Sequence, residues 1–217
     1  TKKDGNDHQT TYTYNSEGLF IEKMINPNGF ITLYSYDQGT GNLLLENDAN
    51  GFTTTYNYDA NGRITSLVRP YDSSLYPTIK YSYSYSSGSP FLVIEHFREE
   101  AGKSTTFDVY SFYDSFGHMI QQRSSAENNQ QVVQDYSYDS FGKLIKESNP
   151  YFSTFSEKYV LQTNSAVKTY SYDPLNRLFH ILNQDGSLKK ISFKKEIVQE
   201  IDELGNKKDF IYDPSGS

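Results

Sequence analysis

The stretch Tyr56-Asn57-Tyr58-Asp59-Ala60-Asn61-Gly62-Arg63-Ile64 has a pattern, Tyr-x-Tyr-Asp-x-x-Gly-x-aliphatic, that recurs along the chain. In an extended strand, residues two apart share a face, so Tyr56 and Tyr58 point one way and Asn57 the other. The carboxylate of Asp59 can accept backbone amides just ahead of it and start a turn. Gly62 supplies the positive φ that closes such a turn. Arg63 and Ile64 then begin a return strand. The pattern predicts the tip of a β-hairpin.

Other copies surround it. Tyr34 and Tyr36 lead into Asp37 and Gly41, with one extra residue in the turn. Tyr113, Asp114 and Gly117 form a close copy, and Tyr136, Tyr138, Asp139 and Gly142 a full one. Tyr170, Tyr172 and Asp173 are followed by Asn176, the next most tolerant residue at the glycine position. Tyr12-Thr13-Tyr14-Asn15 swaps Asp for Asn, and Tyr212-Asp213-Pro214 begins a copy cut off by the chain end. Between copies lie turns of a second kind, at Asn26-Pro27-Asn28-Gly29, Asp48-Ala49-Asn50-Gly51, Gln184-Asp185-Gly186 and Asp202-Glu203-Leu204-Gly205. From Gly18 through Gly29, Gly41 and Gly51 to Gly62 the spacings are 11, 12, 10 and 11 residues. Each interval fits one strand and one turn, and two intervals give a repeat of about 22 residues, the signature of a repeat architecture.

Composition agrees with a sheet that has no thick core. Only 35% of the 217 residues are hydrophobic, mean hydropathy is -0.71, and there are 20 Tyr and no Trp or Cys. Tyrosine suits such a sheet, because its ring packs while its hydroxyl stays hydrated. A formal net charge of -7 argues against a general nucleic-acid surface. No run approaches the roughly 20 apolar residues of a membrane helix. The pairs Lys189-Lys190, Lys194-Lys195 and Lys207-Lys208 read as solvated strand edges that discourage aggregation.

The expected organisation is a polar tail or incomplete repeat at 1–11 and a repeat sheet over 12–217. That sheet is regular over 12–69, divergent over 70–113, and interrupted at 149–165. Strands are expected at 10–15, 19–25, 30–36, 43–47, 52–58 and 63–69, at 81–85, 91–98, 103–113, 119–123 and 131–138, and at 177–183, 188–194, 196–201 and 207–212. The interruption reads as a surface loop, or one extra strand near Tyr159-Val160-Leu161, and as a possible partner contact. No segment carries a helical apolar period. The fold class is therefore all-β: antiparallel hairpins repeated in a twisted, spiralling sheet.

These copies resemble the YD repeats of the RHS (rearrangement hotspot) family, most clearly over Gly51–Ile64. The resemblance implies a long antiparallel sheet wound into a spiral that can close into a hollow shell. Such repeats occur in bacterial polymorphic toxins, in B and C components of insecticidal toxin complexes, in wall-associated bacterial proteins and in animal teneurins. In the toxins the shell encloses a C-terminal effector, and a core segment after the repeats plugs the shell and cuts the chain. No such core is recognisable here. Tyr212-Asp213-Pro214-Ser215-Gly216 is similar to the Asp-Pro-x-Gly of that cleavage motif, but Tyr172-Asp173-Pro174 has the same start inside an ordinary repeat. A truncated repeat of a longer protein is the reading adopted. The resemblance also implies a secreted or cell-surface location in a bacterium.

Catalytic, cofactor and metal residues are not found. His8, His96, His118 and His180 lack ligand partners at metal spacing. Asp48-Ala49-Asn50-Gly51 lacks the rest of a calcium loop, and Glu95, Glu99 and Glu100 have no fixed separation. Three functions stay open. The chain is a structural wall that encloses or displays part of its parent, or an extracellular adhesin or carbohydrate-binding surface using tyrosine rows, or, last, an enzyme. The expected partners are other repeats and C-terminal cargo of the same parent, further copies through exposed sheet edges, and a glycan in the second reading.

Overall fold

The structure is a computed structural model, and it describes residues 1–161 and 166–211. The final YD start at Tyr212 and the last part of the 149–165 interruption lie outside the described residues. Nineteen strands and no helix occur among the described residues. The chain divides into two compact units, one of Thr1–Tyr83 with Val93–Asp108 and one of Ser84–Leu92 with Val109–Ser217.

In the first unit, β1 (Lys2–Lys3), β2 (Gln9–Tyr14), β3 (Ile21–Ile25), β4 (Ile31–Tyr36), β5 (Leu43–Asn47), β6 (Thr53–Tyr58), β7 (Ile64–Val68) and β8 (Ile79–Ser84) follow one another. Each pairs antiparallel with the next. The polar start is thus not a free tail, because Lys2 and Lys3 pair with Thr10 and Gln9. β9 (Phe91–Arg98) and β10 (Thr106–Tyr113) continue the chain.

The second unit contains β11 (Met119–Ala126), β12 (Gln130–Tyr138), β13 (Leu144–Ser148), β14 (Tyr151–Thr154), β15 (Val167–Tyr172), β16 (Leu178–Leu182), β17 (Leu188–Lys194), β18 (Ile197–Ile201) and β19 (Lys207–Ile211). Its ladder forks at β12. Residues Gln130 to Val133 pair with β14, whereas Tyr136 to Tyr138 pair with β13, which then pairs with β15. The extra strand of the interruption is therefore at 151–154, not at 159–161. Residues 159–161 form no strand, and the Val160 carbonyl instead accepts the Gln121 side-chain amide at 2.8 Å. Lys189 is likewise not simply a solvated edge charge; it forms a 3.0 Å cross-strand ion pair with Glu200.

The turns show why these sequences reverse direction. The Asp59 carboxylate accepts the amides of Asn61 at 2.9 Å and Arg63 at 3.0 Å, while the Gly62 amide donates to the Asp59 carbonyl. Gly62 has φ +76° and Asn176 φ +66°, a left-handed conformation that glycine adopts freely and asparagine tolerates. Asp48 makes the same bonds to Asn50 and Phe52, so the two turn kinds of the sequence share one geometry.

Candidate functional site: hairpin locks and a capped polar face

What separates the YD hairpins from the others is the strand leading into the turn. In each, the ladder slips by one residue beside the second tyrosine. Tyr58 faces Ile64 while Asn57 faces Ser66, leaving Thr65 as an extra residue. The same bulge occurs beside Tyr14, Tyr36, Tyr113, Tyr138 and Tyr172. A bulge bends the strand and increases its twist. Nothing in the linear pattern marks it, since the period-two alternation reads straight through.

The second tyrosine also reaches backwards along the chain. Tyr58 donates its hydroxyl to the carbonyl of Leu43 at 2.9 Å, Tyr138 to Met119 at 3.0 Å and Tyr172 to Leu144 at 2.9 Å. Tyr83, in the divergent region, does the same to Ile64 at 2.7 Å. Each acceptor is the first residue of the return strand of an earlier hairpin, two residues past its turn glycine. A tyrosine therefore locks its hairpin to the one before. Tyr36 instead stacks its ring on Phe20 at 5.1 Å. The first tyrosines find glutamates: Tyr56 bonds Glu46 at 3.4 Å, and Tyr170 bonds Glu147 at 2.5 Å. Burial is the main cause that raises the pKa of Tyr34, Tyr56, Tyr136, Tyr138 and Tyr170 above the ordinary phenol value. These phenols stay neutral donors at physiological pH.

The turn carboxylates titrate the other way. Amides donated by the residues ahead hold Asp37, Asp59 and Asp173 below the usual carboxylate range. Asp114 is also lowered, because its bonds with His118 and Phe116 outweigh its desolvation. A carboxyl whose folded pKa is depressed stabilises the fold above its unfolded pKa and loses that contribution as pH falls through the folded value. Thermal unfolding is therefore expected to be nearly flat from pH 7 to about 5 and to drop steeply below about pH 4. A melting temperature unchanged from pH 5 to pH 2.5 would contradict this.

The second feature is a buried polar face in the second unit. The least exposed side chains include Arg123 at 1% and Gln121 and Gln131 at 0%, beside Tyr110, Phe112 and Val133. Cross-strand register aligns them: Tyr110 faces Arg123, Arg123 faces Val133, and Val133 faces Tyr151. Arg123 donates Nε to Gln121 at 2.7 Å and Nη1 to Gln131 at 3.1 Å. Gln121 passes a bond on to Asp135, which accepts the Tyr151 hydroxyl at 2.7 Å. Residues 155–160 lie over this face. Phe155 meets Tyr110 edge-on at 5.9 Å, Tyr159 packs on Phe112 at 6.1 Å, and the Ser156 amide donates to Gln131 at 2.9 Å. After β14 the described part of the interruption is an irregular surface segment whose Phe155, Ser156 and Tyr159 pack over this face.

Three of the four histidines pair with an aspartate: His8 with Asp4, His96 with Asp108 and His118 with Asp114. His180 packs on Phe179. Among the described residues no group of three or more His, Cys, Asp and Glu is placed to hold a metal. The motif tyrosines, aspartates and glycines expected from the sequence lie at the hairpin tips. Gln121, Arg123, Gln131 and Asp135 carry no such mark in the sequence. In a strand, alternating Gln, Arg and Ser read as a solvent face, and only the cap reverses that.

Residues 36–74 match the family model of the RHS repeat. No curated protein matches the chain by sequence. Among solved structures, the chain is similar to TcdB2-TccC3, at TM-score 0.75 and 16% identity over 96% of this chain. It is also similar to TcdB2-TccC3 without its hypervariable C-terminal region (TM-score 0.76, 13% identity, 96% covered) and to TcdB2-TccC3-Cdc42 (TM-score 0.75, 13% identity, 96% covered). It spans only 14 to 16% of those chains. Residues 36–74 are thus an RHS repeat, and the chain shares the all-β fold of those structures.

Proposed function

We propose that this RHS-repeat chain is a wall segment of an enclosure that holds another part of its parent protein, the C-terminal effector of a bacterial polymorphic toxin. One observation carries the reading. The tyrosine-to-carbonyl lock recurs at Tyr58, Tyr83, Tyr138 and Tyr172, so those hairpins are fastened to earlier ones rather than to a ligand. A wall needs that property. A glycan held by hydrogen bonds from these hydroxyls would need them free, and here the backbone carbonyls take them. The shared fold supports the reading too, since it occurs in TcdB2-TccC3 structures with and without a hypervariable C-terminal region. The motif tyrosines, aspartates and glycines are structural in this proposal, and export from a bacterial cell follows from it.

The test is intact-mass analysis of the parent protein, purified gently and measured before and after denaturation. A C-terminal piece that is already cut, yet leaves only in denaturant, is the expected result. A single uncut chain with nothing retained would overturn the enclosure and favour a scaffold or adhesin displayed at the cell surface.

A further inference from the structure

Between the turns at 114–117 and 139–142, within the second unit, lies an open concavity of about 900 Å³. Its lining is aromatic and acidic. Phe116, His118 and Tyr138 form a continuous wall, with His118 stacked on Tyr138 at 4.7 Å and Phe116 at 6.1 Å from His118. Phe141 and Tyr159 complete the surround, and among the described residues no Lys or Arg lines it. Phe116 is 84% and Phe141 81% exposed, although each occupies a turn position held by asparagine in Asp48-Ala49-Asn50-Gly51 and Asp59-Ala60-Asn61-Gly62. Turn geometry does not ask for phenylalanine there.

Asp139 adds a carboxylate oxygen to this aromatic lining. In four of the turns the second carboxylate oxygen is occupied, Asp59 by Arg63, Asp173 by Arg177, Asp114 by His118 and Asp202 by Asn206, whereas Asp37, Asp48 and Asp139 accept turn bonds through one oxygen only. At Asp139 one oxygen accepts the Phe141 and Lys143 amides, each at 2.9 Å. The residue that would pair with its second oxygen, Lys143, instead sends its ammonium to the Asn176 carbonyl at 3.2 Å and over the Tyr172 ring. Among the described residues the second Asp139 oxygen has no partner, and Asp139 lines the concavity.

We propose that this concavity binds an organic cation, the guanidinium or ammonium group of an arginine or lysine side chain in a basic polypeptide segment. Aromatic faces attract a desolvating cation, and an adjacent unpaired carboxylate supplies the counter-charge. A neutral sugar fits less well, because it brings no positive charge to the aromatic faces or to the Asp139 carboxylate. The site stands whether or not the chain encloses an effector.

The test titrates the 217-residue chain with acetyl-arginine amide, acetyl-lysine amide and the neutral isostere acetyl-citrulline amide, at low salt, followed by amide NMR shifts. Saturable shifts at Phe116, Asp139, Phe141 and Gly142 are expected with arginine or lysine, and citrulline should bind about ten-fold more weakly. Two variants keep the turn. Asp139→Asn preserves the amide acceptor, as Asn26 does in its own turn, and Phe141→Asn restores the residue used at Asn61. Each should weaken binding about five- to ten-fold with an unchanged melting temperature. Equal binding of arginine and citrulline, shifts confined to other residues, no saturable binding, or unaltered affinity in both variants would each overturn the proposal.

Discussion

Replacing Arg123 with alanine is expected to lower the unfolding free energy by about 3–5 kcal/mol, the usual cost of removing one partner from a buried charged network. Burial lowers the Arg123 pKa from the usual arginine value, yet a guanidinium stays protonated in proteins. Its charge is met by the side-chain oxygens of Gln121 and Gln131, and by Asp135 one step further. Truncation would leave Asp135 without a nearby cation, strip donors from two buried amide oxygens, and open a void under the cap. For a chain of this size the melting temperature should fall on the order of 10 °C. Arg123→Met fills the volume but not the hydrogen bonds, so its loss should be smaller, about 2 kcal/mol. Urea unfolding of both variants is the measurement. A loss below about 1 kcal/mol for Arg123→Ala would mean the cluster is not integral to the fold.

Tyr138→Ala should cost about 2–4 kcal/mol, since it removes both the stack on His118 and the bond to the Met119 carbonyl. Tyr138→Phe isolates the hydroxyl and should cost about 1 kcal/mol. Tyr58→Phe and Tyr172→Phe remove the same kind of bond in separate hairpins. The three phenylalanine substitutions together should therefore sum to about 3 kcal/mol, as independent sites do. If the triple variant unfolds at the same urea concentration as the parent, the hydroxyl-to-carbonyl lock contributes nothing to holding the repeats.

The two networks were unequally legible. Tyr58 and Asp59 sit next to each other in sequence, and their roles follow from strand alternation and turn chemistry within nine residues. The lock was hidden, because Leu43 is 15 residues upstream of Tyr58 and Leu144 is 28 upstream of Tyr172. Arg123 and Gln131 were hidden more deeply. Their alternation predicts a wet face, and the residues that dry it, Phe155 and Tyr159, follow more than 20 positions later. The interruption was visible as a break in the period, but its strand was misplaced. Tyr159-Val160-Leu161 has the higher apolar content, whereas Tyr151–Thr154 has the register that matches β12.

By itself, the sequence determined the all-β class, the hairpin repeat and the position of nearly every turn, because those depend on local preferences repeated at a fixed spacing. Tertiary structure alone decided the bulge beside each second tyrosine, the fork at β12, the cap over Arg123 and the unpaired Asp139 oxygen. Each of these depends on which residues meet across a strand or over a face, near in the chain for the bulges and distant for the rest, and a period-two pattern carries no information about that.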